Sequence, residues 1–478
     1  MKKLIYLSFS LSLFILASCT KDLTNLNEQT KAPANVPAGT LFSNATRSLS
    51  DPLASASVNT DVFRFIVKHW AMVTYQDEVQ YDFTTRFIPR SWWSIMYRDV
   101  LNDLQNSAQL ITDDANLTDG EKANKLAIID AMQVYTYSIL VNTFGDVPYS
   151  EALNSTILFP KYDDAKTIYA DLLTRISADI TKMNATASGF SATEDLLNKG
   201  SMTKWIKFAN GLKMKLALTI ADEDDATAKS AVEAVSANAI TSAADNSIFV
   251  YLTGSPNQNP LYADIVTGGR GDYVATQDFV DTLARLVDPR LSKYFSPNAA
   301  GLYKGGISGA VNSPQSDYSQ PGAKVIAPDA GNIFMDYAEA EFYRAEAVER
   351  GYSIPGTAAE HYSNAITASI LYWGGTAAEA TAYLANPAVN YATAAGTWKQ
   401  KIGTQKWIAN FNRPYEAWTE LRKFDFPVLT LPVAAKSGFP NRLTYPDTEA
   451  TTNGDNYTSA ASKIGTDKVE TKLFWDKF

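Results

Sequence analysis

The chain is almost without cysteine and histidine: of 478 residues, one is cysteine and two are histidine. A single thiol closes no internal disulfide, and one cysteine with two histidines cannot supply the ligand set of a structural zinc site. Imidazole chemistry is confined to His69 and His361, far apart in the chain, which read as helix-packing or surface residues before they read as bases. No nucleophile elbow, phosphate-binding loop or spaced Cys/His cluster occurs. Basic residues are outnumbered, 42 to 51, for a formal net charge of -9, which leaves no basic face for nucleic acid. Beyond the N-terminal segment there is no hydrophobic run of the about 20 residues that a membrane-spanning helix needs.

That N-terminal segment is the first thing present. Lys2 and Lys3 precede an apolar run from Leu4 to Ala17, a pattern read as a lipoprotein signal peptide over residues 1–18 and set apart from the fold. It closes in Leu16-Ala17-Ser18-Cys19, which looks like a bacterial lipobox, so Cys19 is expected to be acylated and to become the new N-terminus. Several acyl chains hold far more firmly than one, because each buried methylene contributes about 0.8 kcal/mol. Residues 19–40, rich in Asn, Thr, Lys, Pro and Ala with little to bury, read as a lipidated flexible tether, and residues 41–478 as the body.

Within the body, 3.6-residue periodicity predominates. From Asn124 to Leu153, Leu126, Ile129, Met132, Tyr135 and Ile139 step by three or four, the mark of an amphipathic helix, and Gly145, Asp146 and Pro148 end it. Helices are also expected from Asp61, from Trp92 to Leu110, over 163–183, and over 203–221, where Trp205, Phe208, Leu212, Leu216 and Ile220 share a face. Lys204, Lys213 and Lys215 flank that face and read as a solvated edge. Between about 241 and 332, Gly, Pro, Ser, Asn and Asp are dense and periodicity fades except over 277–286. A long irregular insert of this kind is expected to carry binding, with one short strand at 248–251. Two further helices, 335–352 and 358–374, resemble a tetratricopeptide pair. The fold class expected is mainly α, a tetratricopeptide-like helical scaffold with a loop-rich ligand-binding region.

Aromatic residues make up 12% of the chain, with 9 Trp and 25 Tyr, which suits surfaces for sugars or peptides: an apolar ring and a polar tip both find partners there. A sugar offers CH faces and rims of hydroxyls, so its site needs aromatic platforms beside amides, carboxylates and guanidinium groups. Tyr75, Gln76, Tyr81 and Arg86, followed by Trp92 and Trp93, provide that mixture, and the insert adds Tyr273, Tyr303 and Tyr318. Adjacent on a helix, Trp92 and Trp93 diverge by about 100 degrees, so one of the two is expected to be exposed. Trp205, Trp407 and Trp418 lie on helical faces and are expected in the core. Asp222 to Asp225 read as a hydrated turn rather than a calcium loop, since the spaced oxygen ligands are missing. Arg270-Gly271-Asp272 is an adhesion tripeptide by letters only. A glycosidase pair stays open, because a carboxylate separation of about 5 to 10 Å is invisible in sequence.

Several segments carry a resemblance in a common order. Phe144 to Leu153 (FGDVPYSEAL), Lys204 to Ile220 (KWIKFANGLKMKLALTI), Asp288-Pro289-Arg290-Leu291, Tyr337 to Ala347 (YAEAEFYRAEA), QKWIANF with YEAWTELRKFDFP (Gln405 to Pro427), Arg442 to Tyr457 and Leu473 to Asp476 resemble blocks of the SusD/RagB family of nutrient-binding outer-membrane lipoproteins. The resemblance implies a SusD-like α/α superhelix at the cell surface. It implies a ligand face built from the early aromatic loop and the long middle loop, and a SusC-type TonB-dependent transporter as partner. The expected function is capture of a nutrient, an oligosaccharide first, without catalysis, cofactor or metal. A peptide-binding member, a lipid-anchored glycan hydrolase and a purely structural adaptor are the alternatives.

Overall fold

The first helix begins where composition stops resembling a tether: α1, Ala38–Ala54, buries Phe42, Ala45, Leu49 and Leu53 at spacings of three and four, and starts three residues ahead of the boundary placed at 41. The computed structural model describes residues 36–57 and 61–478. The signal segment, Cys19 and all of the tether before residue 36 lie outside the described residues. Ala38–Phe478 forms one compact unit.

Packed helices dominate that unit. α2 runs over Ile88–Ser94, passes through a π-helical stretch, Ile95–Leu101, and ends as Asn102–Asp113, lying against α1. α3, Asp119–Phe144, is capped by the Thr118 side chain, which accepts from the Glu121 amide, and stops at Gly145, whose φ of 88 suits only glycine. Its periodicity suggests one apolar face, yet from Ala127 to Phe144 almost every residue is buried, so this helix runs through the interior instead of lying on it. The polar residues it takes inside are satisfied locally. Thr136 and Thr143 donate to carbonyls four residues back, and Asn142 accepts from the Tyr169 hydroxyl at 2.8 Å.

α4 (Ala165–Lys182) packs on α3, and α5 (Met202–Thr219) on α4 and on α6 (Asp225–Val235). The irregular insert carries α7, Gln277–Leu286. Four helices follow: α8 (Tyr337–Glu349), α9 (Ala358–Tyr372), α10 (Ala377–Ala385) and α11 (Trp398–Ala409), with α12 (Pro414–Phe424) completing the core. α8 and α9 pack as the expected pair. Two short helices, Glu449–Thr452 and Gly454–Lys463, lie in the C-terminal tail.

The charge-rich segments α8 and α12 are buried nearly all round. Glu339 accepts from Arg413 at 2.6 Å, Lys423 bridges Glu346 and Glu420 at 2.8 Å each, and Lys406 reaches Glu420 at 2.9 Å. Lys215, read as part of a solvated edge, is drawn into this network by Glu416 and Glu339. Its charge is tolerated inside because carboxylates from two other helices meet it there. Trp205, Trp407 and Trp418 are core residues, as expected. His69 is also buried, its Nε2 3.1 Å from the Trp407 carbonyl, and burial pushes its imidazole down to about 3.

Strands are few and short. β1 (Trp70–Met72) pairs antiparallel with β3 (Tyr273–Ala275). β2 (Ser247–Phe249), close to the strand expected, pairs with β4 (Asn332–Met335).

Candidate functional site

The β1–β3 pair explains why two loops some 200 positions apart meet. In its register Trp70 faces Ala275 and Met72 faces Tyr273, so the chain leaving β1 and the chain arriving at β3 emerge side by side. The Val73 amide extends the ladder by donating to the Asp272 carbonyl at 2.9 Å. Between the segments lies a cleft of about 720 Å³, walled by Thr74, Tyr75 and Arg86 on one side and Arg270, Gly271 and Asp272 on the other.

Tyr75 is held at a φ of 58, a left-handed conformation that is costly for a tyrosine, with its ring 61% exposed. Gln76 fastens the loop from below, its amide donating to the Met72 carbonyl at 3.0 Å. The Arg86 guanidinium lies 5.9 Å from the Tyr75 ring centroid and ion-pairs with the buried Glu78. Burial pushes the Glu78 carboxyl above its usual range, with Arg86 pulling the other way. Across the cleft Arg270 grips Asp272 from Nε at 3.2 Å and Nη2 at 2.6 Å, and its guanidinium sits 4.8 Å over the Tyr273 ring. Each arginine is thus balanced by a carboxylate of its own loop. The cleft offers guanidinium N–H donors, the Asp272 carboxylate and one exposed ring, with the charge of Arg86 answered beneath it by Glu78.

Of the residues singled out from sequence, the structure brings Tyr75 and Arg86 to this cleft and places the others elsewhere. Tyr81 is buried. Tyr273 is buried beneath Arg270, its hydroxyl donating to the Ala56 carbonyl at 2.5 Å. Trp92 is fully buried between Phe63 and Tyr415. Trp93 is the half-buried member of the pair, but the rings of Tyr97, Phe144, Tyr162 and Tyr445 enclose it, so it is no open platform. Tyr318 packs half-buried on Ala71, Val73 and Val274 under Lys304, and the Gln76 amide is spent on the backbone. Trp92 and Tyr273 lie in regular elements and follow them into the core; Tyr81 shares the left-handed backbone of Tyr75, at φ 68, but is packed inward, and Tyr75 alone of these rings is left open. Arg270 and Asp272 were passed over as loop residues. Their only sequence signal is the run Gly268-Gly269-Arg270-Gly271 just ahead of a strand, where glycine permits close backbone approach.

The acidic turn at Asp222 to Asp225 is taken up by protein groups. Asp222 meets Arg350 and Lys399, Glu223 meets Lys166 and Lys477, and Asp224 caps α6. Among the described residues no group of three or more His, Cys, Asp or Glu is placed to hold a metal ion, and no helix is long and apolar enough to cross a membrane.

A SusD-like family model, described as "Starch-binding associating with outer membrane", matches residues 30–446. A solved structure described as a chitin-binding protein is 24% identical and superposes with a TM-score of 0.78, covering 92% of this chain and 100% of that one. A chitin-binding SusD homolog from Flavobacterium johnsoniae is 23% identical, with a TM-score of 0.77 over 91% of this chain and 98% of its own. A SusD homolog from Bacteroides uniformis is 22% identical, with a TM-score of 0.79 over 92% and 99%. No curated protein matches.

Proposed function

Since this chain belongs to the SusD-like family of starch-binding proteins that associate with the outer membrane, we propose that it captures an oligosaccharide in the cleft between the Tyr75 loop and the Arg270–Asp272 turn. It then delivers the sugar to a SusC-type TonB-dependent transporter, without catalysis. The observation that carries this reading is the meeting, in one open cleft, of an exposed ring with two arginines whose charges are already balanced. A sugar ring lays its CH face on Tyr75 while its hydroxyls take the remaining guanidinium N–H groups and carboxylate lone pairs. Two of the similar structures are described as chitin-binding, which supports a glycan over a peptide. Attachment to the membrane is assigned to an acylated Cys19.

The test is calorimetric titration of the full-length protein in detergent with soluble starch and chitin oligosaccharides and with peptides of similar length, the mixtures being checked afterwards for product. Saturable binding of a glycan with no cleavage is the expected result. Cleavage would establish a hydrolase, and binding of peptides alone would move the chain to the peptide-binding alternative. Co-purification with a transporter, and loss of fatty-acid labelling in Cys19→Ser, examine the partner and the anchor.

A further inference from the structure

A second polar cleft, remote in sequence from the Tyr75 loop, has the opposite electrostatic character. It measures about 430 Å³ and lies between the C-terminal end of α7, the loop before α11, the first turns of α11 and the segment after α12. Arg285 stands at its rim, exposed, with no hydrogen-bond or ion-pair partner among the described residues. Lys401 gives one N–H to the Tyr391 carbonyl at 2.8 Å and meets no carboxylate. Gln400 spends its side-chain oxygen on the Thr397 amide at 2.7 Å, which leaves its NH2 free, and the Thr404 hydroxyl has no partner among the described residues. No Asp or Glu lines the cleft. In a chain of net charge -9 this recess holds two cations that meet no carboxylate and two further side chains with a free donor.

We propose that this cleft is a second binding site, for a small oxyanion carried on a polar body: a carboxylate, sulfate or phosphate group on a sugar. A guanidinium without a carboxylate partner presents its fork to two oxygens of one anion, and the Lys401 ammonium, lining the same cleft from α11, adds a point charge. Gln400 and Thr404 on the same helix face supply neutral donors to the rest of the molecule. The volume falls within the range of small-ligand sites, about 300 to 1,000 Å³, and accommodates a single sugar residue. The charge-balanced Tyr75 cleft lacks the net positive charge that would favour such a group. A chain with both clefts handles neutral and acidic units of a substituted glycan at separate places.

The experiment titrates the full-length protein with D-glucuronate, D-glucose and inorganic sulfate, and reads the component of binding that is lost in Arg285→Ala. Arg285 is exposed and makes no hydrogen bond or ion pair among the described residues, so near-ultraviolet circular dichroism of that variant is expected to match the parent. Glucuronate is expected to bind saturably, more weakly as salt is raised, and at least about tenfold more weakly in Arg285→Ala. Lys401→Ala and Thr404→Val serve as second variants, each with a smaller loss. Competition by sulfate assigns the site to oxyanions in general, and its failure to compete assigns it to sugar acids; either supports the proposal. Three results overturn it: no saturable binding of either anion, binding unchanged in the Arg285→Ala/Lys401→Ala double variant, or an Arg285-dependent component that glucose fills as well as glucuronate. Because neither residue touches the Tyr75 cleft, oligosaccharide binding there survives in all these variants and is judged independently.

Discussion

Replacing Tyr75 by asparagine separates the binding role of its ring from the conformation that displays it. Asparagine tolerates the left-handed region in which Tyr75 is held, at φ 58, so the loop keeps its course while the platform disappears. A tyrosine side chain offers about 200 Å² in all. At 61% exposed, roughly 120 Å² of it faces solvent at the cleft. A sugar ring lying on one face covers about half of that, and roughly 60 Å² at about 25 cal/mol per Å² amounts to ~1.5 kcal/mol. Calorimetry with the best oligosaccharide from the panel should therefore show about a tenfold weaker Kd for Tyr75→Asn. Stability should stay within about 0.5 kcal/mol of the parent, read from the urea midpoint, since an exposed ring is lost and backbone strain is relieved. An unchanged Kd would refute the assignment of the cleft, and a large loss of stability would refute the claim that Tyr75 is displayed instead of packed.

Three other perturbations test the remaining parts of the account. Trp92→Ala should lower stability by about 3–5 kcal/mol through the cavity left between Phe63 and Tyr415, with binding kept in whatever fraction stays folded, as urea unfolding beside calorimetry would show. Arg86→Ala leaves Glu78 buried without its cation and should cost about 3 kcal/mol at pH 7. Burial already raises the Glu78 pKa, so its carboxyl favours the fold when protonated and that advantage fades as pH rises through the raised value. The variant's deficit should accordingly shrink between pH 7 and pH 5, and a deficit independent of pH would contradict the pairing. Asp179 is buried beside Asp130, and burial together with that neighbouring carboxylate raises its pKa to about 8. Its contribution is fully present below the unfolded value near 3.8 and is lost as pH climbs toward 8. Asp179→Asn should thus be more stable than the parent at pH 8 and close to it at pH 4, measured by thermal unfolding across pH.

The helical scaffold was legible because its signal is local. The spacing of Trp205, Phe208, Leu212 and Leu216 and the glycine stop at Gly145 can be read within a single turn or two, and the elements formed where those patterns lie. Depth of burial was not legible. α3 looks amphipathic and α8 and α12 look charged, yet all three run through the interior; for α8 and α12 this is because charges on one helix are answered by charges on another that no window of sequence contains. For the same reason Lys215 was read as solvated.

In the binding region, residue type was enough to mark the early loop, with Tyr75 and Arg86, since an aromatic ring, amides and a guanidinium in a short polar stretch are a local composition. Which rings stay open was a matter of tertiary packing. Tyr81, Trp92 and Tyr273 are aromatic like Tyr75, but tertiary contacts bury them. The other wall of the cleft, Arg270 and Asp272, came from beyond the reach of any local pattern. Three residues of β1 pair with three residues of β3, and that register, set by hydrogen bonds between strands some 200 positions apart, decides what Tyr75 faces.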